Sequence, residues 1–134
     1  MSYVEELLKN PVSSNMRTDP PTVSPSDSVA EVVIKMSEMD IGAVIVVEDG
    51  RAIGMITEKD VLERVVKPKK MMDLIQARDV MTTPLASIDS DKTTKQALDL
   101  MRFKSIRRLA VMEEGRLIGI VTERRLLESA LIKR

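Results

Sequence analysis

The chain has 134 residues, of which 43% are hydrophobic, and 21 basic side chains balance 21 acidic ones. That length suits one domain able to bury roughly two thirds of its unfolded surface, and a zero net charge gives no field that draws it to nucleic acid or an anionic membrane. There is no Cys and no His, which excludes disulfides, thiolate nucleophiles, Ser–His triads, thiolate zinc sites and imidazole acid–base catalysis. With one Tyr and one Phe, stacking platforms for single-stranded bases are lacking as well.

In chain order, Tyr3–Lys9 reads as a short amphipathic helix stopped ahead of Pro11. Glu5 and Glu6 in this first segment, without an apolar stretch beside them, argue against a signal peptide. Residues 15–23 are irregular and Pro-rich, ending in an extended stretch at Thr22–Val23. Ser28-Val-Ala-Glu31 is a capping box, followed by Val29, Val32, Val33 and Met36 at helical spacing. Ile41–Val47 is a buried strand, Asp49-Gly50 a tight turn and Arg51–Thr57 a second strand. That apolar run is far short of the roughly 20 residues that span a membrane. A helix starts at Glu58, Lys67–Lys70 is a solvated link, and Met71–Gln76 is expected to form a helical turn.

The same series then returns. Residues 16–63 align without a gap on 81–128 at an offset of 65 (81 − 16), with 14 identities that include Gly50/Gly115, Gly54/Gly119, Thr57/Thr122, Glu58/Glu123 and Leu62/Leu127. Thr93-Thr-Lys-Gln96 repeats the capping box, Leu109–Met112 and Arg116–Thr122 repeat the strands around Glu114-Gly115, and the last helix starts at Glu123. Each copy is therefore strand–helix–strand–strand–helix. Duplicated units of this kind cover each other's apolar faces, with pseudo-equivalent clefts where the copies meet.

Gly54-Met-Ile-Thr-Glu-Lys-Asp-Val-Leu62 and Gly119-Ile-Val-Thr-Glu-Arg-Arg-Leu-Leu127, with Asp79-Val-Met81 leading into Thr83-Pro84, resemble the cystathionine-β-synthase (CBS) domain. The resemblance implies an α+β fold of two pseudo-symmetric β-α-β-β-α units packed sheet to sheet, forming one free-standing module over residues 1–134. Repeat one would run over about 12–66, the linker over about 67–76 and repeat two over about 77–131. It also implies two clefts for an adenosine-containing ligand such as AMP, ADP, ATP or S-adenosylmethionine. The first would use Thr57, Asp60, Thr82, Thr83, Ala86, Ile106, Arg107 and Arg108. The second would use Arg17, Thr18, Pro21, Ile41, Gly42, Ala43 and Thr122. In this scheme a Thr at a helix N-terminus meets phosphate and a carboxylate accepts both ribose hydroxyls.

Arg125 stands where the second copy should carry that carboxylate, and it offers donors instead of an acceptor. Arg107 and Arg108 stand where the first copy has Gly42 and Ala43. The clefts are thus expected to be unequal, with the Asp60 cleft binding the nucleoside. Each signal has a plain structural counterpart: Thr57-x-x-Asp60 is also a generic helix start, Arg107-Arg108 also a surface pair, and the buried methionines also adaptable core. Gly54 and Gly119 permit either a close ligand or tight packing.

The expectation is a cytoplasmic, ligand-sensing regulatory module that is no enzyme. It would have no catalytic residue, no metal and no covalent cofactor, and would bind a nucleotide as regulatory ligand. It would act as a homodimer on a regulated protein, without membrane or nucleic-acid partners. The alternative is a structural or oligomerisation module whose nucleotide sites have decayed, with nucleic-acid binding a further alternative behind it.

Overall fold

The structure, a computed structural model, describes residues 2–132. Two sets of residues form compact units: Pro20–Leu85, and Met1–Asp19 together with Ala86–Arg134. Neither unit is a contiguous sequence repeat, because the lead-in segment of each repeat belongs to the unit built on the other.

In the Pro20–Leu85 unit, a capping box at Ser28 starts α2 (Val29–Glu38), the Ser28 hydroxyl accepting from the Glu31 N–H at 3.1 Å. α2 is stopped past its C-cap Met39 by Asp40, whose φ of 49° is left-handed, and the Ile41 N–H closes the end on the Met36 carbonyl at 3.0 Å. That closure takes Ile41 out of the strand expected to begin there. β3 runs over Ala43–Glu48 and turns at Asp49 and Gly50, both at positive φ, into β4, Arg51–Thr57. β2 (Thr22–Val23) pairs parallel with β3, and β3 antiparallel with β4, with a bulge at Val46/Val47. α3 (Glu58–Val61) continues as a π-helical turn over Leu62–Val66, the Lys67 N–H reaching back to the Leu62 carbonyl at 2.9 Å. Val29, Val32, Val44, Val46, Ile56 and Val65, each inaccessible to solvent, anchor this unit's core.

Of the helical turn expected at Met71–Gln76, the structure has a hydrogen-bonded turn at Met72–Leu74, the Leu74 N–H donating to the Met71 carbonyl at 3.1 Å, and the helix itself, α4, follows at Ala77–Val80. Gln76 is that helix's extended N-cap, its N–H donating to the Asp79 carboxylate at 3.2 Å, so Gln76 cannot itself be helical.

The other unit repeats the plan around β5 (Ser87–Asp89), α5 (Thr94–Lys104), β6 (Arg108–Glu113), β7 (Arg116–Thr122) and α6 (Glu123–Ile132). α1, Tyr3–Lys9, is as expected. A 3₁₀ turn over Val12–Asn15 leads into a two-residue strand β1, Arg17–Thr18, which lies in the 15–23 stretch that the sequence shows only as irregular. β1 lies at the sheet edge, in the order β1-β7-β6-β5. Val12, Leu109, Val111 and Val121 are fully buried in this unit's core.

Candidate functional site

β4 ends at Thr57, the N-cap of α3, so strand and helix deliver Thr57 and Asp60 to one point. The Asp60 Oδ2 accepts from the Thr57 N–H at 2.9 Å and from the Thr57 hydroxyl at 3.1 Å. Its Oδ1 accepts from the Thr82 hydroxyl at 3.1 Å. Thr82 is held there by backbone pairing with Met55: the Thr82 N–H donates to the Met55 carbonyl at 2.9 Å, and the Met55 N–H to the Thr82 carbonyl at 3.2 Å. The result is a half-buried carboxylate with three neutral donors fixed around it and, among the described residues, no ion pair. Such a group keeps its negative charge unneutralised and retains free lone pairs on both oxygens.

Gly54 makes the crossing of the lead-in segment over β4 feasible. A Cβ there would come within 3.0 Å of the Thr82 carbonyl and the Met81 sulfur, and within 3.1 Å of the Thr83 Cγ2. Gly119 serves β1 in the same way, a Cβ lying 2.8 Å from the Arg17 carbonyl. Both glycines therefore serve tight packing of the chain against itself, the packing partner being the lead-in backbone.

In the other unit the Thr122 hydroxyl accepts from the Arg125 N–H at 3.0 Å, a helix cap with no carboxylate in it. Arg17 and Thr18 pair with Ile120 and Gly119, which places Arg17 at the position that Thr82 holds beside β4 (82 − 17 = 65). The cluster of Thr57, Asp60 and Thr82 thus has as its counterpart Thr122, Arg125 and Arg17, where two cations stand in place of an acid and a hydroxyl.

The remaining candidates divide between the units. Pro21, Ile41, Gly42, Ala43 and Thr83 fall with Thr57, Asp60 and Thr82 in Pro20–Leu85, while Thr18, Ala86, Ile106, Arg107, Arg108 and Thr122 fall with Arg17 in the other. Several act through their backbones. The Pro21 and Ala86 carbonyls accept from the Ile45 and Ala110 N–H groups at 2.9 and 3.0 Å, and the Gly42 and Arg107 carbonyls hold the helix starts by accepting from Glu58 and Glu123 at 3.0 and 2.9 Å. Ala43 is buried opposite Thr57, and Arg108 is half-buried opposite Thr122. Arg107 is exposed and, with Leu98, Arg102, Ile106 and Glu123, lines an open cleft of about 510 Å³.

Sequence reasoning missed Arg64, whose Nη1 donates to the Val80 and Met81 carbonyls at 2.8 and 3.0 Å and so fixes the segment that carries Thr82. It also missed Asn15, whose carbonyl accepts from Arg125 Nε at 3.1 Å. Comparing Arg64 with Ser129, its partner at the 65-residue offset, would have flagged the first.

A CBS domain family model matches residues 4–67 and 77–131. The chain is 40% identical over 114 residues to an uncharacterized protein of Methanopyrus kandleri, covering 84% of this chain and 58% of that protein. It is 36% identical over 109 residues to an inosine-5'-monophosphate dehydrogenase of Methanocaldococcus jannaschii, covering 80% of this chain but 21% of the enzyme. An uncharacterized conserved protein from Pyrococcus horikoshii has the same fold, with a TM-score of 0.87 and 31% identity over 95% of this chain and 96% of that one.

Proposed function

The chain belongs to the CBS domain family as a tandem pair, and from that premise we propose that it is a sensor for an adenosine-containing ligand. Tandem CBS domains are in general regulatory and ligand-binding. The reading specific to this chain is that the Asp60 cluster takes the ribose of AMP, ADP, ATP or S-adenosylmethionine. The observation that carries it is the geometry of the Asp60 carboxylate: half-buried, charged, held by neutral donors and unpaired with any cation among the described residues. A vicinal diol supplies two O–H donors at the spacing of two carboxylate oxygens. The Thr82 hydroxyl is the sole protein donor on Oδ1 among the described residues, so a diol hydroxyl taking the free lone pair there shares that oxygen with Thr82 and weakens the tie between α3 and the lead-in segment.

That shared oxygen gives the regulation a physical form. A ligand shifts a conformational equilibrium only by its differential affinity for the states, and here the states differ in how tightly Thr82 bonds Asp60. The output goes to a partner protein. The match to a short part of a dehydrogenase supports a regulatory place for the fold, whether beside a catalytic domain or apart from one. The module itself works without catalysis, in the cytoplasm and as a homodimer.

The test is a thermal-shift and calorimetric panel of AMP, ADP, ATP and S-adenosylmethionine on the wild type and on Asp60→Ala. A ligand at 100 times its dissociation constant adds about 2.7 kcal/mol of stability. The expected result is a shift with at least one of these compounds that disappears in the variant. No shift with any of them would favour a purely structural module.

A further inference from the structure

The two units hold the same backbone carbonyl with side chains from different positions. In Pro20–Leu85 the Val80 carbonyl, at the root of the lead-in segment, accepts from Arg64 Nη1 at 2.8 Å. The residue corresponding to Arg64 in the other unit is Ser129 (129 − 64 = 65), and the carbonyl corresponding to that of Val80 belongs to Asn15 (80 − 15 = 65). A serine carries no guanidinium, yet the Asn15 carbonyl is still held, by Arg125 Nε at 3.1 Å. Arg125 is the counterpart of Asp60 (125 − 60 = 65).

Positions four apart on a helix share a face, one turn removed. An arginine moved from position 129 to 125 on α6 therefore still reaches the lead-in segment from the helix's first turn. Ser129 keeps a smaller part in the same contact, its hydroxyl donating to Asn15 Oδ1 (3.1 Å) or to the Arg125 carbonyl (3.0 Å). We propose that Arg125 is a positioning residue that took over, one turn earlier, the anchoring work Arg64 performs in the other unit. Occupying that position cost this unit its diol acceptor. The unequal sites then follow from an exchange of anchors and not from general decay, and residues 125 and 129 together decide whether this unit accepts a ribose. The anchoring claim stands on the hydrogen bonds alone; the ribose claim rests on the function proposed above.

The experiment uses the full chain as wild type, Arg125→Ala, Arg125→Asp and the double variant Arg125→Asp/Ser129→Arg. Arg125 is exposed, so the variants should fold. Melting temperature and amide hydrogen exchange at residues 16–18 report the anchor. Both single variants are expected to melt several degrees lower and to exchange faster at β1, and the double variant to recover wild-type values in both readouts. Unchanged exchange in Arg125→Ala would overturn the anchoring role, and no recovery in the double variant would overturn the exchange of anchors. AMP titration reports the site: the double variant should bind an additional AMP per chain relative to wild type. Wild type binding AMP with no additional AMP in the double variant overturns the ribose claim. A wild type silent to AMP counts against the proposed function instead, and the exchange data then judge Arg125 alone.

Discussion

At Asp60 one carboxylate serves a helix start and, in the proposed function, a ligand, and the two roles can be separated by substitution. Its Oδ2 caps the Thr57 N–H at 2.9 Å, a bond an asparagine amide oxygen also makes. Asp60→Asn should therefore keep nearly wild-type stability, whereas Asp60→Ala, which leaves the Thr57 N-cap but removes the reciprocal half of the capping box and the Thr82 bond, should lose about 1 kcal/mol in chemical denaturation. Both lose the charged acceptor. Hydrogen bonds to an ionised group contribute about 1.5–3 kcal/mol, so nucleotide affinity should fall roughly 10- to 100-fold in each. An Asn variant that binds as tightly as wild type would show that the carboxylate is not the acceptor.

Among the secondary-structure elements, the lead-in segments separate what the sequence shows from what it hides. The capping boxes at Ser28, Thr57 and Thr93 formed as their local spacing requires, and the Asp49-Gly50 and Glu114-Gly115 turns adopted the positive φ that their glycines suggest. These features depend on residues within four positions of one another. β1 has two residues and pairs with β7, about 100 positions away, and Thr82 reaches Asp60 across 22 positions, so no periodicity announces either. The family resemblance put Thr82 with Asp60 and Arg17 with Thr122, and Gly54 and Gly119 mark where the lead-in backbone crosses. The crossing is tighter at Gly119, where a Cβ would lie 2.6 Å from the Met16 sulfur and 2.8 Å from the Arg17 carbonyl, against nearest approaches of 3.0 Å at Gly54. A methionine end can move, but a strand carbonyl moves only with its strand. Gly119→Ala should thus cost about 1–3 kcal/mol as overpacking, and Gly54→Ala less, in denaturant unfolding. The reverse order would mean that β1 is held more loosely than its hydrogen bonds indicate.

For the whole molecule, the apolar surface left outside both cores bears on assembly. No described helix is long and apolar enough to cross a membrane, and several large apolar side chains are exposed. Leu62 and Leu127 are 47% and 50% exposed, and they are identical residues at the 65-residue offset on α6 and on the π-helical turn that continues α3. Val66, on the same turn as Leu62, is 46% exposed and Val4 on α1 is 50% exposed. Isolated exposed apolar residues are ordinary, but the same leucine left exposed in both units marks a surface the fold presents twice. A self-complementary patch of that kind suits a twofold dimer, in which one surface meets its own copy. Leu62→Glu with Val66→Glu would leave the buried Val61 and Val65 in place while placing like charges in such an interface. By sedimentation, the wild type should run as a dimer and the double variant as a folded monomer. A double variant that remains dimeric would move the interface away from these helices, and a monomeric wild type would remove the homodimer from the proposed function.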